Sequence, residues 1–171
     1  DRIKDGHMCR HVVMVLPYRA SCDAMEALIV QNSDEFKNLS QYSIINISGL
    51  DGPKQFRTTE SVKDAIAKAE QAGEKTITLT VNRMLTGSTV EQWDTMLFLK
   101  ETSSPQEYDQ AIYRLQNQYI RELRTADDRA ENEYKVIREC LKPQTILVDF
   151  DPTRMFRLQE QRSLFYNVNT H

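Results

Sequence analysis

Short apolar runs alternate with amphipathic stretches along the first hundred residues. Residues 12–17, VVMVLP, form an unbroken apolar run closed by proline, the pattern of a strand buried on both faces. Met25, Leu28 and Ile29 then recur at helical spacing, predicting a helix that begins near Ser21 or Cys22. Phe36 and Leu39 are expected to anchor the following turn, and residues 41–47, QYSIINI, predict a second strand. Thr59 is placed to cap a helix with Val62, Ala65, Ile66 and Ala69 on its inner side. Gly73 ends that helix as the residue beyond its C-cap. Residues 75–81 (KTITLTV) and 95–99 (TMLFL) read as two more buried strands. This alternation predicts a three-layer α/β fold around a mostly parallel central sheet.

Past the fourth strand the pattern turns helical. Ser104 suits an N-cap, Pro105 the first helical position, and Glu107 the far end of a capping box. Tyr108, Ala111, Ile112, Leu115 and Tyr119 make one apolar stripe, with Gln110, Arg114, Asn117 and Arg121 along the opposite line. Residues 121–142 mix charges around a short apolar patch of Val136, Ile137 and Leu141. They are expected to extend the helix or to form a mobile insert, with an interface role left open. A last strand is predicted over 145–150. Asp151 as N-cap and Pro152 then open a terminal helix and tail over 151–171.

Composition narrows the field only a little. At 171 residues the chain suits one domain with a good core. Its net charge of −3 gives no global attraction to nucleic acid, so local patches must carry any such claim. Three widely spaced cysteines without a CxxC pair argue against a disulfide scaffold and for a reducing, cytoplasmic setting. No apolar run reaches membrane-spanning length, and no signal peptide is visible. The first residue, Asp1, is not methionine, which suggests a fragment of a longer chain. His7, Cys9 and His11 alternate and Asp149 and Asp151 flank a strand end. Neither set has the partners a metal site needs, and capping explains Asp151 more simply.

Two features suggest phosphate chemistry. The amide and guanidinium line on the predicted helix suits phosphate better than an ordinary Glu/Lys surface does, because arginine presents a rigid fork of donors; a plain solvated face is the alternative. The loop between the third and fourth strands offers Arg83, Thr86, Gly87, Ser88 and Thr89 at the sheet end where open α/β folds bind ligands. The loop at 48–59, SGLDGPKQFRTT, reads as mobile, with Lys54 and Arg57 either near a phosphate backbone or simply in solvent. Trp93, Tyr18 and Tyr113 are rings for base stacking or for packing. For Trp93, its place just before the fourth strand favours packing.

The segment TVNRMLTGSTVEQWDTMLFL resembles motif V, and QAIYRLQN resembles motif VI, of the second RecA-like domain of superfamily 2 (DEAD/DEAH-box-like) helicases and translocases. The resemblance is nearest to the motor subunits of type I and type III restriction enzymes, and the strand–PYR–helix opening is similar to motif IV. It covers roughly residues 12–150. It implies a helicase C-terminal RecA-like lobe across 1–171, a P-loop NTPase-like fold without the P-loop, that completes an ATP site formed mainly by an N-terminal RecA-like lobe of the same parent chain. ATP and Mg²⁺ would serve the complete parent, with neither held tightly by this fragment. By the same resemblance Arg114 and Gln110 are catalytic, Gly87, Thr89 and Arg121 face the nucleotide, and Arg19, Thr80, Arg83 and Thr86 meet nucleic acid. DNA is expected in preference to RNA, and nuclease or methyltransferase subunits are candidate partners.

The chain also departs from that pattern. Tyr113 and Asn117 stand where motif VI has a glycine and a second arginine, and Gly87-Ser88-Thr89 replaces a Gly-x-Asp. No GxxxxGK[ST] loop occurs, and Asp34-Glu35 follows a predicted helix rather than a core strand, so the isolated chain is expected to be inactive. A catalytically silent RecA-like module that binds nucleic acid or a protein is the alternative from another class. A free-standing phosphate-handling enzyme would lack both a glycine-rich loop and a general base beside Arg114.

Overall fold

The computed structural model describes residues 8–48, 58–81, 89–102, 104–126, 134–154, 156, 157 and 160. Strands β1 (His11–Leu16), β2 (Tyr42–Asn46), β3 (Lys75–Val81), β4 (Thr95–Phe98) and β7 (Ile146–Asp149) form one sheet in the order β2-β3-β1-β4-β7. Every pairing in it is parallel. Helices α1 (Arg19–Asn32), α2 (Thr59–Gln71) and α3 (Pro105–Leu115) flank the sheet. This mixed α/β architecture is consistent with a RecA-like fold.

Alternation along the strands divides the core into two layers. Val12, Leu16, Ile77 and Leu79 pack against Cys22 and Ile29 of α1. Val13, Val15, Ile45, Met96 and Phe98 point the other way, against Val62 and Ile66 of α2, Val90 and Trp93, and Tyr108, Ala111 and Leu115 of α3. The three threonines of β3 lie fully buried. Each has a polar partner. Thr76 meets His11, Trp93 Nε1 donates to Thr78, and Thr80 lies 3.4 Å from Ser48 Oγ. Trp93 is therefore a core residue, tied to the central strand by its one donor.

Several boundaries depart from the sequence reading for local reasons. Tyr18 is extended, so α1 begins at Arg19, two residues before Ser21 and three before Cys22. Phe36 is 55% exposed and anchors little, whereas Leu39 does pack inward. Thr58, not Thr59, caps α2: its side chain accepts from Ser61 N, and Ser61 Oγ accepts from Thr58 N. Gly73 has φ +74°, the left-handed turn expected past that helix. Ser104 caps α3, but the box is not reciprocal, because Thr102 Oγ1 accepts from Ser104 N while Glu107 is held by Thr102 and Lys100.

The largest correction concerns the chain beyond α3. The helix stops at Leu115, and residues 120–126 and 134–140 form an antiparallel ribbon, β5 (Ile120–Ala126) with β6 (Tyr134–Cys140). A hydrogen bond from Leu141 N to Tyr119 O, 2.9 Å, closes its base. The expected helix extension is thus a separate two-stranded sheet, and Tyr119 and Arg121 leave the helical stripes assigned to them. No helix among the described residues is long and apolar enough to cross a membrane.

Candidate functional site

Strand β1 is the odd member of the sheet. Its chain leaves toward α1 on one face, while the chains leaving β2, β3 and β4 pack on the other. Adjacent exits to opposite faces make the carboxyl end of β1 a topological switch point, the usual ligand position in open α/β sheets. Arg19 stands just beyond that end, and its Nε donates to Ser48 O at 2.9 Å. Ser48 is a hub. Its Oγ accepts from Val81 N at 3.1 Å, and its N–H donates to Asn46 Oδ1 at 3.3 Å. Asn46 Nδ2 in turn donates to Asp23 and Glu26 of α1. These bonds knit the ends of β2 and β3 to α1.

Thr80 belongs to this knot. It is fully buried and donates to Val81 O, so in this arrangement its hydroxyl secures the strand end rather than facing a phosphate. Arg83, Thr86 and Gly87 lie outside the described residues, as do His7, Lys54 and Arg57. Thr89 is half-buried on the chain that returns along the α3 face.

Helix α3 carries the next set. Gln110 is exposed and Arg114, four residues on, is half-buried, which places both on one side of the helix. Burial draws the Arg114 pKa below its ordinary value. Asn117 Nδ2 donates to Arg114 O at 3.0 Å and Tyr113 O at 3.5 Å. At the place of a second motif VI arginine, the side chain caps the end of the helix instead. Arg121, exposed on β5, does not continue the Gln110–Arg114 line.

One buried arginine escaped the sequence reading. Arg154, 8% exposed, donates from Nη1 to Lys100 O at 2.6 Å and lies 3.5 Å from Asp149 and 3.7 Å from Asp151. Its guanidinium carbon sits 5.1 Å from the Phe98 ring centre and 5.9 Å from that of Tyr108. The aspartates that suggested a metal thus hold an arginine, and Asp151 also caps the turn through Thr153 N. The hydrogen bonds from Thr153 hold the Asp151 carboxyl below the usual range. The only hint in sequence was an arginine three residues after a capping aspartate.

The opposite, amino edge holds a polar network. His11 Nδ1 lies 3.0 Å from Thr76 Oγ1 and Nε2 lies 3.1 Å from Glu70 Oε1. Tyr119 donates to the other oxygen of Glu70. Both ring nitrogens of His11 are thus engaged within the protein. Among the described residues no group of three His, Cys, Asp or Glu side chains could hold a metal ion. Burial lowers the His11 pKa below 6.5 and raises that of Tyr119. Lys142 is buried and donates to Trp93 O and Leu115 O, both at 3.0 Å, joining the ribbon base to α3. Desolvation lowers its pKa too.

No family model matches the chain. It is 30% identical over 112 residues to a Mycoplasma pneumoniae protein that bears the name of the C-terminus of a type II restriction enzyme and methyltransferase. The match takes in 66% of this chain and 15% of the length of that relative. This likeness relates the chain to a protein of restriction systems and does not by itself identify a helicase lobe.

Proposed function

We propose that the chain is the second RecA-like lobe of an ATP-dependent nucleic-acid translocase in a restriction system. The observation that carries the reading is a shared face. The chain returning from β3, through Val90 and Trp93, and α3, through Tyr108, Ala111 and Leu115, pack on the same side of an all-parallel sheet. These segments bear the resemblance to motifs V and VI. The restriction relative supports the biological setting, and a nuclease or methyltransferase partner and a DNA substrate are part of the same proposal.

The donors fit a phosphate. Gln110 offers an amide and Arg114 a guanidinium one turn apart on α3. When bound, ATP supplies the phosphoryl group whose transfer to water releases the driving free energy. Arg114 then donates hydrogen bonds to that group, where charge builds up in the transition state. Gln110 orients the same region. In this reading Mg²⁺ would come with the nucleotide and be held by the partner lobe. Arg19, just beyond the carboxyl end of β1, is the residue we assign to a nucleic-acid backbone.

The test is DNA-stimulated ATPase activity of the full-length parent. Arg114→Ala is expected to lower turnover by a factor of about 10³ while leaving ATP binding near normal. Robust turnover in the variant overturns the assignment of Arg114. A second reading, a silent binding module, is favoured by the capping role of Asn117, which leaves one motif VI arginine rather than two. A folded parent that hydrolyses no ATP with any DNA or RNA selects that reading.

A further inference from the structure

The sheet has two outer strands, and they are guarded differently. Short β7 ends in Asp149 and is bracketed in sequence by Pro143 and Pro152, residues that resist strand pairing. Strand β2, YSIIN, contains no proline, charge or glycine. Among the described residues no strand pairs with its outer edge. The amide of Ile47 donates inward to Leu79 O at 3.1 Å, so Ser43 and Ile45 also direct their backbone groups to β3. Tyr42 and Ile44 therefore turn theirs outward. The Tyr42 N–H is taken by Leu39 O. The Tyr42 carbonyl and both groups of Ile44 face away from the sheet.

Beside this edge lies a groove of about 510 Å³ between β2 and α2. Ser61, Asp64, Ala65 and Lys68 line it from the helix, the spacing of one helical face. Ser43, Ile45 and Glu74 line the sheet side. Small side chains at 61 and 65 keep the helix from covering the edge. Two carboxylates, Asp64 and Glu74, against one Lys68 leave the groove acidic.

The geometry points to β2 and this groove as a docking site for an extended segment of a partner polypeptide, added as a sixth strand. Outward backbone groups select an extended backbone, because only that shape meets them in register. Residues of the added strand opposite Ser43 and Ile45 place their side chains in the groove. There a β-branched residue fits over Ile45 and Ala65, and a basic one fits beside Asp64 and Glu74. The inference is independent of ATP chemistry.

The test uses a fluorescein-labelled peptide, KTITLTV, the sequence of β3, which already pairs with β2 from the inside. Backbone-driven addition tolerates this choice of sequence, and its lysine suits the acidic groove. Saturable anisotropy is expected, with slowed amide exchange at Ile44 and little change at Ser43 and Ile45. Ala65→Tyr, which fills the groove from a half-buried position on α2, is expected to weaken binding at least about tenfold with the sheet's circular dichroism intact. Absence of saturable binding, equal binding by Ala65→Tyr, or protection that spares Ile44 overturns the proposal. So does concentration-dependent dimerisation of the chain that protects Ile44 without peptide, since the occupant is then a second copy.

Discussion

Replacing Arg154 by alanine removes one partner from a buried ion pair whose other member is nearly cut off from water. The Asp149 side chain is only 7% exposed, and its Oδ2 has no hydrogen bond in the structure apart from the 3.5 Å ion pair. Breaking such a pair from one side costs about 3–5 kcal/mol, because the remaining charge is left desolvated. Lost contacts with Phe98 and Tyr108 add about 0.5–2 kcal/mol. Lys100 O also loses its donor. Relaxation and partial hydration absorb some of this, so an overall loss of about 4 kcal/mol is expected. Urea denaturation of wild type, Arg154→Ala, Arg154→Met, Asp149→Asn and the double variant Arg154→Met with Asp149→Asn measures this loss and separates the terms. Arg154→Met keeps most of the volume against the rings, and Asp149→Asn removes the stranded charge. The double variant should recover at least about 1 kcal/mol relative to the sum of the singles. Strict additivity, within about 0.3 kcal/mol, would refute the reasoning that Arg154 and Asp149 act as one unit.

Two other features of the fold give measurable outcomes. His11 has a depressed pKa because burial outweighs the attraction of Glu70 and Asp94, while Arg10 also opposes its protonation. The unfolded chain therefore binds the proton more readily, so stability is fully present above about pH 6.5 and falls as the pH drops toward the folded value. Urea midpoints between pH 7.5 and 5 should show this loss, and His11→Gln should flatten it; an unchanged slope in the variant assigns the loss to other groups. Gly73→Ala meets no atom within 4 Å, so its cost is conformational, about 1–2 kcal/mol for a side chain at φ +74°. Thermal unfolding should show it as a drop of about 2–8 °C, and an unchanged midpoint would mean the turn relaxes out of the left-handed region.

The parts legible in sequence are those set by local chemistry. Strand β3 has the limits its pattern predicts, because five interior residues alternate threonine with Ile or Leu between Lys75 and Val81. Gly73, Ser104 and Asp151 are legible as caps because backbone donors and left-handed turns select few residue types. The ribbon is not. Tyr119 and Leu123 continue a helical spacing from Leu115, and no Asn-Gly or Asp-Gly pair marks a turn before Tyr134. Tertiary pairing overrides that periodicity, carrying Arg121 away from Arg114. Arg154 is hidden for another reason: its partners lie on β4, β7 and α3 and meet only after the sheet has formed. Thr80 shows the converse, a residue assigned by motif whose hydroxyl is used up inside the fold.

The closed base of the β5–β6 ribbon has a consequence for how this chain can change. Leu141 N meets Tyr119 O at the root, and Lys142 fastens the returning chain to Trp93 and Leu115. The two ends of the excursion are therefore held together by the scaffold itself, whatever length lies between them. Lengthening a loop whose ends are already pinned adds closure entropy that grows only with the logarithm of its length, about 0.6 kcal/mol per doubling. The ribbon is thus a graft point. Residues can be gained or lost beyond its root, or a folded module set there, while the parallel sheet and α3 keep their registers.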